Sequence, residues 1–453
     1  MTPSFLPPLS AAVLVLGAAL AAPAQERTFL ALKDALNTEV QERAFTLAKP
    51  ARVHVRATGS GREARAFTAY GWILDAATRE VVWQMDGRNA KADGAFLVSD
   101  QTVDLKAGSY EAYFSNHAFA WRGPLSWGSR DIDRRRLREG RGREDEDRFG
   151  FREIAKALAP GRVEDWREQA ARYGLELSVA ASAAADVTTS PGVVAWKREV
   201  LALLATGDSG EWTGAFKVSR PVKIHVYCQG ERDGDDGLVD TGWILDARTH
   251  RPVWEMSVGK ASYAGGAEKN RRQVETLTLP AGEYLAGYGT DDSHSPANWN
   301  SAPPCDPLRY GLIVSVANPA DAAAVTAVPV QEPAPVLAAL VRLGNHRREQ
   351  ATFALKVPAS VRVYALGEAD DDEMADGAWI TDSSGTKVWE MTAAASQPAG
   401  GAAKNRMQDE VLKLPAGSYT LHVRTDGSHA YGRWNAAPPR DGAHWGATVY
   451  AVP

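Results

Sequence analysis

Three short stretches decide the fold of this chain, because they recur in the same order with the same companions. They are Gly71-Trp72-Ile73-Leu74-Asp75, Gly242-Trp243-Ile244-Leu245-Asp246 and Ala378-Trp379-Ile380-Thr381-Asp382. Each is followed by a second tryptophan block, namely Val82-Trp83-Gln84-Met85, Val253-Trp254-Glu255-Met256 and Val388-Trp389-Glu390-Met391. A Leu-x-Ala-Gly-x-Tyr block then closes each copy, at Leu105–Tyr110, Leu279–Tyr284 and Leu414–Tyr419. Three blocks in one order, three times over, indicate an internal triplication.

The spacing of these blocks divides the 453 residues into three domains. We place repeat 1 at residues 25–180, repeat 2 at 193–316 and repeat 3 at 335–453, separated by linkers rich in small residues and proline. The first copy is the longest, so it carries an insert at about residues 130–173. This insert opens with a run of mixed charge, which is typical of a solvated segment, and then shows helical patterning.

Local patterning within each copy predicts one short helix followed by strands. The opening apolar residues fall at helical spacing. They are Phe29, Leu30, Leu32 and Leu36 in the first copy, Trp196, Val200, Leu201, Leu203 and Leu204 in the second, and Val336, Leu337, Leu340 and Leu343 in the third. The period then changes to two, as in Val222, Ile224 and Val226, which marks strands with one buried face. About seven short strands with Gly/Pro turns predict an all-β fold, an antiparallel, jelly-roll-like β-sandwich in each copy. The paired tryptophan blocks fit a hairpin that places its indoles in the core.

The amino terminus and the overall charge restrict the function classes. Residues 9–22 form an apolar run followed by Ala22-Pro23-Ala24, which predicts a signal peptide over residues 1–24 and a periplasmic or secreted protein. No later stretch predicts a membrane span in the mature chain. A formal net charge of −5 argues against nucleic-acid binding, which needs a basic surface. Cys228 and Cys305 are candidates for a disulfide in an oxidising compartment, the alternative being two separate buried thiols.

The hairpin and the block that closes each copy carry a resemblance at the level of pattern. Residues 246–253 and 279–284, with their counterparts in the other copies, resemble the pre-peptidase C-terminal type of bacterial β-sandwich. The resemblance covers about half of each copy and implies an accessory, non-catalytic domain of an exported protein. This chain departs from that context because its sequence contains no peptidase domain.

The loop after the Leu-x-Ala-Gly-x-Tyr strand holds the candidate ligand-binding residues. They are Asp291, His294, Trp299 and Asn300 in repeat 2, and Asp426, His429, Trp434 and Asn435 in repeat 3. Three interpretations compete: Asp and His bind a divalent cation such as Ca²⁺, Trp is an exposed platform for a sugar, or the loop is purely structural. Repeat 1 keeps His117 but lacks the acidic residue. A metal role therefore predicts sites in the second and third copies only.

Two further loops recur in the second and third copies. Gly265-Gly266 precedes Lys269-Asn270-Arg271, and Gly400-Gly401 precedes Lys404-Asn405-Arg406. This pattern favours either an anion-binding nest or cations that pair with nearby acidic loops. The acidic loops are residues 233–236 and 370–373, which either hold Ca²⁺ or are simply solvated.

Sequence motifs of catalysis are lacking. There is no Gly-x-Ser-x-Gly, no His-Glu-x-x-His and no dinucleotide fingerprint. We therefore expect an exported, non-enzymatic binding or structural protein of the cell envelope, whose partner is a protein, a glycan or another envelope component. The alternative is a secreted hydrolase acting on glycan or peptide, with its site in the His/Trp loops.

Overall fold

The structure is a computed structural model that describes residues 25–35, 39–61, 67–116, 171–194, 196, 198–234, 237–297 and 299–452. The signal peptide and nearly all of the predicted helical insert lie outside this range. Within it, each copy of the repeat folds as two antiparallel β-sheets packed face to face, which confirms the all-β prediction.

Repeat 2 shows the architecture in full. One sheet has the strand order β11-β20-β13-β18-β17, with β14 paired to β13, and the other has the order β16-β15-β19-β12-β21. The strands are β11 Glu199–Leu204, β12 Glu211–Val218, β13 Val222–Asp233, β14 Gly237–Leu238, β15 Thr241–Asp246, β16 Pro252–Glu255, β17 Ser262–Tyr263, β18 Asn270–Leu279, β19 Gly282–Gly289, β20 Gly311–Val316 and β21 Val325–Val328. Val222, Ile224 and Val226 on β13 point into the core, as their alternation predicts.

Repeats 1 and 3 repeat this order with small differences. In repeat 1, β3 and β4 pair at one corner and join the two sheets into one of ten strands; in repeat 3 the second sheet has four strands. The strands of repeat 1 are β1 Glu26–Lys33, β2 Val40–Leu47, β3 Ala51–Gly61, β4 Phe67–Asp75, β5 Val81–Gln84, β6 Ala90–Asp93, β7 Phe96–Leu105, β8 Gly108–Asn116, β9 Gly174–Ala180 and β10 Val187–Ser190. Those of repeat 3 are β22 Val336–Leu340, β23 Arg348–Leu355, β24 Ala359–Asp370, β25 Glu373–Met374, β26 Gly377–Asp382, β27 Lys387–Glu390, β28 Gln397–Pro398, β29 Asn405–Leu414, β30 Gly417–Arg424 and β31 Gly446–Ala451.

The predicted opening helices are wrong, because the described parts of these segments form the edge strands β1, β11 and β22. All three strands contain a register shift at the same place, for example between Glu199 and Leu201 in β11. A β-bulge adds one residue and interrupts the two-residue alternation. The apolar residues of a bulged strand therefore fall at spacings of three and four, which imitates a helix.

The two predicted linkers also contain regular structure. Residues 181–192 hold a 3₁₀ turn at Ala181–Asp186 and strand β10, which pairs with β2. Residues 317–335 hold a 3₁₀ turn at Pro319–Ala324 and strand β21, which pairs with β12. Each segment thus completes the second sheet of the preceding repeat, and the sandwiches extend to Ser190 and Val328.

The recurring blocks build the same local structures three times. In the first recurring block, the aspartate at the end of the strand accepts hydrogen bonds from backbone N–H groups of the hairpin loop. Asp246 Oδ1, for example, accepts from the N–H groups of Arg248 and Thr249. In the closing block, the tyrosine hydroxyl donates to the backbone oxygen four residues earlier, at Tyr110, Tyr284 and Tyr419, each at 2.9 Å. This is a tyrosine corner, which fixes the turn between two strands.

Five of the six tryptophans in the paired blocks are buried in the described structure, which supports their core assignment. They are Trp72, Trp83, Trp243, Trp254 and Trp389. The sixth, Trp379, is only half-buried and stacks on His422 with a 5.0 Å centroid separation and a 6° interplanar angle.

The predicted disulfide does not form: Cys228 and Cys305 are both free and buried. Cys228 lies on β13 in the core of repeat 2, whereas Cys305 packs against the core of repeat 1. The two thiols pack in the cores of different repeats, so the alternative of two separate buried thiols is the correct one. No helix in the described residues is long and apolar enough to span a bilayer.

Consecutive repeats dock through one kind of contact, used twice. At the first junction the hairpin residue Arg79 inserts into repeat 2, where its guanidinium donates to both oxygens of Asp306 and also binds Glu111 of its own repeat. At the second junction His250 takes the place of Arg79, with its Nδ1 2.7 Å from Asp441 Oδ2. Arg79 and His250 both adopt positive φ, 61° and 55°. In repeat 3 this position is Gly385, where an added Cβ would meet no described atom within 4 Å.

Candidate functional site

The His/Trp loops of repeats 2 and 3 have the same internal geometry. His294 and His429 are fully buried with positive φ of 61° and 48°. His294 Nε2–H donates to Asn270 Oδ1 at 2.6 Å, and its Nδ1 lies 3.0 Å from Asn300 Oδ1. The matching distances around His429 are 2.5 Å to Asn405 and 2.9 Å to Asn435. Each ring thus links the loop to the neighbouring Lys-Asn-Arg segment.

The loop indoles are buried and do not form exposed platforms. Trp299 and Trp434 are 3% and 5% exposed, and each packs edge-on against the histidine of its own loop. Burial, helped by the charge of Lys404, lowers the pKa of His429 to about 3. These arrangements are those of a loop that folds on itself, and a sugar face has no access to either indole.

The glycine pair before Lys-Asn-Arg is required by close packing. A Cβ at Gly266 would lie 1.9 Å from the carbonyl oxygen of Pro303, and one at Gly401 2.0 Å from that of Pro438. The lysines that follow pair with carboxylates, Lys269 with Glu231 and Lys404 with Glu368, each at 2.8 Å. The arginines do not join them, because Arg271 and Arg406 bond backbone or serine oxygens.

Those lysine-bound carboxylates belong to two equivalent clusters. Glu231, Asp240 and Asp291 in repeat 2 place carboxylate oxygens within 4.8 Å of one another, and Glu368, Asp376 and Asp426 do the same in repeat 3. In each cluster the glutamate comes near the end of a long strand, β13 or β24. The first aspartate precedes the next long strand, and the second aspartate begins the His/Trp loop.

Hydrogen bonds fix the central aspartate of each cluster from two sides. Asp240 accepts the N–H of Asp291 at 2.8 Å and the hydroxyl of Tyr310 at 2.6 Å. Asp376 accepts the N–H of Asp426 at 2.7 Å and the indole N–H of Trp445 at 3.1 Å. The backbone therefore turns in the same way at both sites, and the acid is held in one position.

Burial and mutual repulsion disfavour charge on these acids. Burial raises the pKa of Glu231 and of Asp376 to about 7, and the neighbouring Asp291 and Asp426 act in the same direction. The pKa of Asp240 is raised well above its ordinary value by burial and by its two acidic neighbours.

Sequence reasoning found one member of each cluster, Asp291 and Asp426, and missed the other two. The missed acids sit in strands and turns that look like ordinary core segments. One signal was available: Gly230-Glu231 matches Gly367-Glu368, while repeat 1 has Gly59-Ser60. The predicted acidic loop at 370–373 lies beside its cluster as a turn between two paired strands. Of the loop at 233–236, Asp233 ends β13 beside the other cluster, and Asp235 and Asp236 fall outside the described residues.

Two adjoining grooves open on repeat 3, with volumes of about 920 and 460 Å³. Asp372, Glu373 and Arg424 line both grooves, so the walls carry opposite charges. Trp379 lines the smaller groove, together with Lys387 and Glu390. In repeat 1 the equivalent Trp72 is covered by repeat 2, whose Cys305 carbonyl oxygen accepts its indole N–H at 2.7 Å.

The two thiols and the serine beside the loop histidine of repeat 2 are poorly placed for nucleophilic chemistry. Burial raises the pKa of the Cys305 thiol to about 12 and that of Cys228 further, so neither forms a thiolate at neutral pH. Ser301 Oγ lies 3.3 Å from His294 Nδ1, but this ring is fully buried. Repeat 3 has Ala436 where repeat 2 has Ser301.

Comparison with known proteins gives no family. No family model and no curated protein matches the chain. A solved structure of the CBM32-1, CBM32-2 and M60 catalytic domains of ZmpB from Clostridium perfringens aligns at 9% identity and a TM-score of 0.15. The alignment covers 91% of this chain and 52% of that one, so the chain spans about half the length of this neighbour.

Proposed function

We propose that the chain is an exported, non-enzymatic, multidomain binding protein of the cell envelope, and that the free end of repeat 3 binds a glycan. The resemblance to accessory β-sandwich domains of exported proteins agrees with this proposal. The observation that carries it is the half-buried Trp379 in a polar groove.

Trp379 is accessible because no other described repeat packs over it. Trp72 and Trp243 occupy the same position in repeats 1 and 2 and are 0% and 2% exposed. Repeat 2 covers Trp72 directly, and Pro438 of repeat 3 packs beside Trp243 at Gly289. The surface that docks the next repeat is therefore open at repeat 3 alone.

The open surface has the chemistry of a sugar site. An indole offers its apolar face to the C–H face of a pyranose ring, and His422 stacked behind it keeps the ring in place. Asp372, Glu373 and Arg424 on the groove walls supply donors and acceptors for hydroxyl groups. Gly385 adds no side chain that would block the approach, unlike Arg79 and His250 at the two junctions.

Binding without turnover is the expected result for the mature chain from residue 25. We would screen it against cell-wall and surface glycans by titration calorimetry and by co-sedimentation with purified peptidoglycan. Trp379→Ala should weaken glycan binding about tenfold or more, since each 1.4 kcal/mol of lost contact is a tenfold step in affinity. Trp379→Phe should retain most of it.

A matched control is Tyr263→Ala, which removes an exposed aromatic ring from repeat 2. This variant should bind as the unmodified chain does. Equal binding by Trp379→Ala and the unmodified chain would reject the proposed site. Hydrolysis of any glycan, peptide or ester by the purified protein would reject the non-enzymatic role.

The alternative of a secreted hydrolase rests on the contact between Ser301 and His294. It requires the loop to open, because His294 is fully buried. Ser301→Ala should abolish hydrolysis if this alternative is correct, whereas it should leave glycan binding at Trp379 unchanged.

A further inference from the structure

We propose that repeats 2 and 3 each bind one Ca²⁺ ion, through Glu231, Asp240 and Asp291 in repeat 2 and through Glu368, Asp376 and Asp426 in repeat 3. This inference is independent of the glycan site and goes beyond the proposed function.

The first support is a carboxylate oxygen without a partner, found at the same place twice. Oε1 of Glu231 accepts the Lys269 ammonium, while Oε2 is buried and has no hydrogen-bond donor. Glu368 repeats this arrangement, with Lys404 on Oε1 and an unpartnered, buried Oε2. These side chains are 2% and 6% exposed. Leaving a buried carboxylate oxygen unsatisfied is costly, so its recurrence points to an ion that both sites share.

The second support is the size and chemistry of the clusters. All the candidate ligands are carboxylate oxygens, which hard cations prefer. Two oxygens on opposite sides of a calcium ion are separated by up to about 5 Å, twice the usual Ca–O distance. The oxygens of each cluster lie within 4.8 Å of one another, which fits one ion among them.

The third support is the local charge. Each cluster contains three carboxylates and one lysine, Lys269 or Lys404, so the ionised groups sum to a charge of −2. A divalent cation neutralises this charge, and the lysine holds the glutamate in place beside it. Without an ion, the two buried carboxylates and the outer aspartate of each cluster repel one another.

An ion from solvent would reach the buried oxygens of each cluster past its outermost acid. Asp291 is partly exposed and Asp426 is exposed, whereas the other four acids are buried. In repeat 3 the larger groove reaches Asp426 along the acidic turn at residues 370–373. A run of negative charge on a groove wall attracts cations toward the buried oxygens.

Repeat 1 shows which residues stand at the cluster positions in a copy that lacks these acids. A Cβ at Gly59 would meet the carbonyl oxygen of Ala69, just as one at Gly230 would meet that of Asp240. Ser60 and Ala69 therefore stand where repeat 2 has Glu231 and Asp240. Repeat 1 also lacks the aspartate of the His/Trp loop, so all three carboxylates are missing from it and we expect no calcium there.

Calcium titration of the full mature chain, first stripped with a chelator, tests the proposal. Calorimetry and equilibrium dialysis should both give two Ca²⁺ ions per chain. Asp376→Asn should reduce the stoichiometry to one, and the double variant Glu231→Gln/Glu368→Gln should reduce it to none. The melting temperature of the unmodified chain should rise with calcium, because a ligand that binds only the folded state stabilises it.

Two further variants keep the result interpretable. Asp426→Asn replaces an exposed ligand, so it removes one site even if the buried variants fail to fold. Glu349→Gln removes an exposed carboxylate of repeat 3 outside the cluster and should leave both sites intact. The proposal fails if the unmodified chain takes up no calcium at about 1 mM, the range of extracellular calcium modules. It also fails if the double variant still binds two ions.

Discussion

At the scale of single residues, the buried histidines show how the loops are held together. His429 is enclosed by Asn405 on one side and by Asn435 and Trp434 on the other. Asn405 also donates to the carbonyl oxygens of Gly400 and Ala437, so it connects three segments. The imidazole is thus part of a closed polar network in a dry environment, where each lost bond leaves another group unsatisfied.

Removing the imidazole should therefore destabilise repeat 3. We expect His429→Ala to lower the free energy of unfolding by about 1–3 kcal/mol, because Asn405 loses its donor in a buried site. Thermal unfolding followed by circular dichroism measures the change. His346→Ala is the control, since His346 is an exposed histidine of the same repeat. An unchanged melting temperature for His429→Ala would show that the network does not support the fold.

Individual residues also show how much of the candidate sites could be predicted from the sequence. The His/Trp loops stand out because polar residues recur there at fixed spacing. The loop cations were expected to pair with the acidic loops at 233–236 or 370–373, but Lys269 pairs with Glu231, a strand residue just before the first of these loops. The carboxylate clusters were only partly predictable, because Glu231 and Asp240 are neighbours through the fold and not through the chain.

At the scale of elements, the hairpins could be predicted from the sequence and the edge strands could not. The hairpins were predicted correctly, since an aspartate that caps the loop and a tyrosine that closes the next turn act over a few residues. Strands β1, β11 and β22 were mistaken for helices, because a bulge changes the spacing of apolar residues without leaving a sequence mark. Strands β10 and β21 were mistaken for linkers, because their short sequences gain their pairing from β2 and β12.

The hairpin between β4 and β5 gives a prediction at this scale. Arg79 is 1% exposed and binds Asp306 and Glu111, which are themselves buried. Arg79→Ala leaves two carboxylates buried without their cation, and breaking such a pair costs about 3–5 kcal/mol. We expect repeats 1 and 2 to separate, so that calorimetry shows an additional unfolding transition at lower temperature.

The control for the hairpin prediction is Arg88→Ala in the same repeat. Arg88 is exposed and pairs with Asp86, two residues earlier in the sequence. Such surface pairs contribute little, so this variant should unfold as the unmodified chain does. If Arg79→Ala also unfolds in an unchanged single transition, the buried ion pair does not hold the two repeats together.

At the scale of the whole molecule, the two junctions share a design but differ in the group that inserts. Tyr227 donates to Asp306 at the first junction and Tyr364 to Asp441 at the second, at 2.7 and 3.0 Å. The inserted side chain is Arg79 in one case and His250 in the other. Arginine stays charged at every accessible pH, so the first junction keeps its cation. The pH response of the second junction depends on the other titratable groups packed around Asp441.

The second junction also contains His444, whose Nδ1 lies 2.8 Å from Asp441 Oδ1. Despite burial, Asp441 and Glu332 raise the pKa of His444 to about 10. Glu211, which accepts the N–H of Ala443, is also close, and its pKa is raised to about 7 by burial and by Asp441. Both shifts favour the protonated forms in the folded state.

The direction of the pH effect follows from linkage. The contribution of His444 is complete below its ordinary pKa of 6.5 and is lost as pH rises toward about 10. Glu211 acts in the same direction between its ordinary value of 4.5 and about 7. The junction between repeats 2 and 3 should therefore weaken between pH 6 and pH 10, while the Arg79 junction should not.

Hydrogen exchange of amides at each junction, corrected for intrinsic rates, measures this difference. His444→Gln should weaken the second junction at pH 6 and remove most of its pH dependence above pH 7. Equal protection of both junctions across this range would mean that His444 carries no charge that matters for docking.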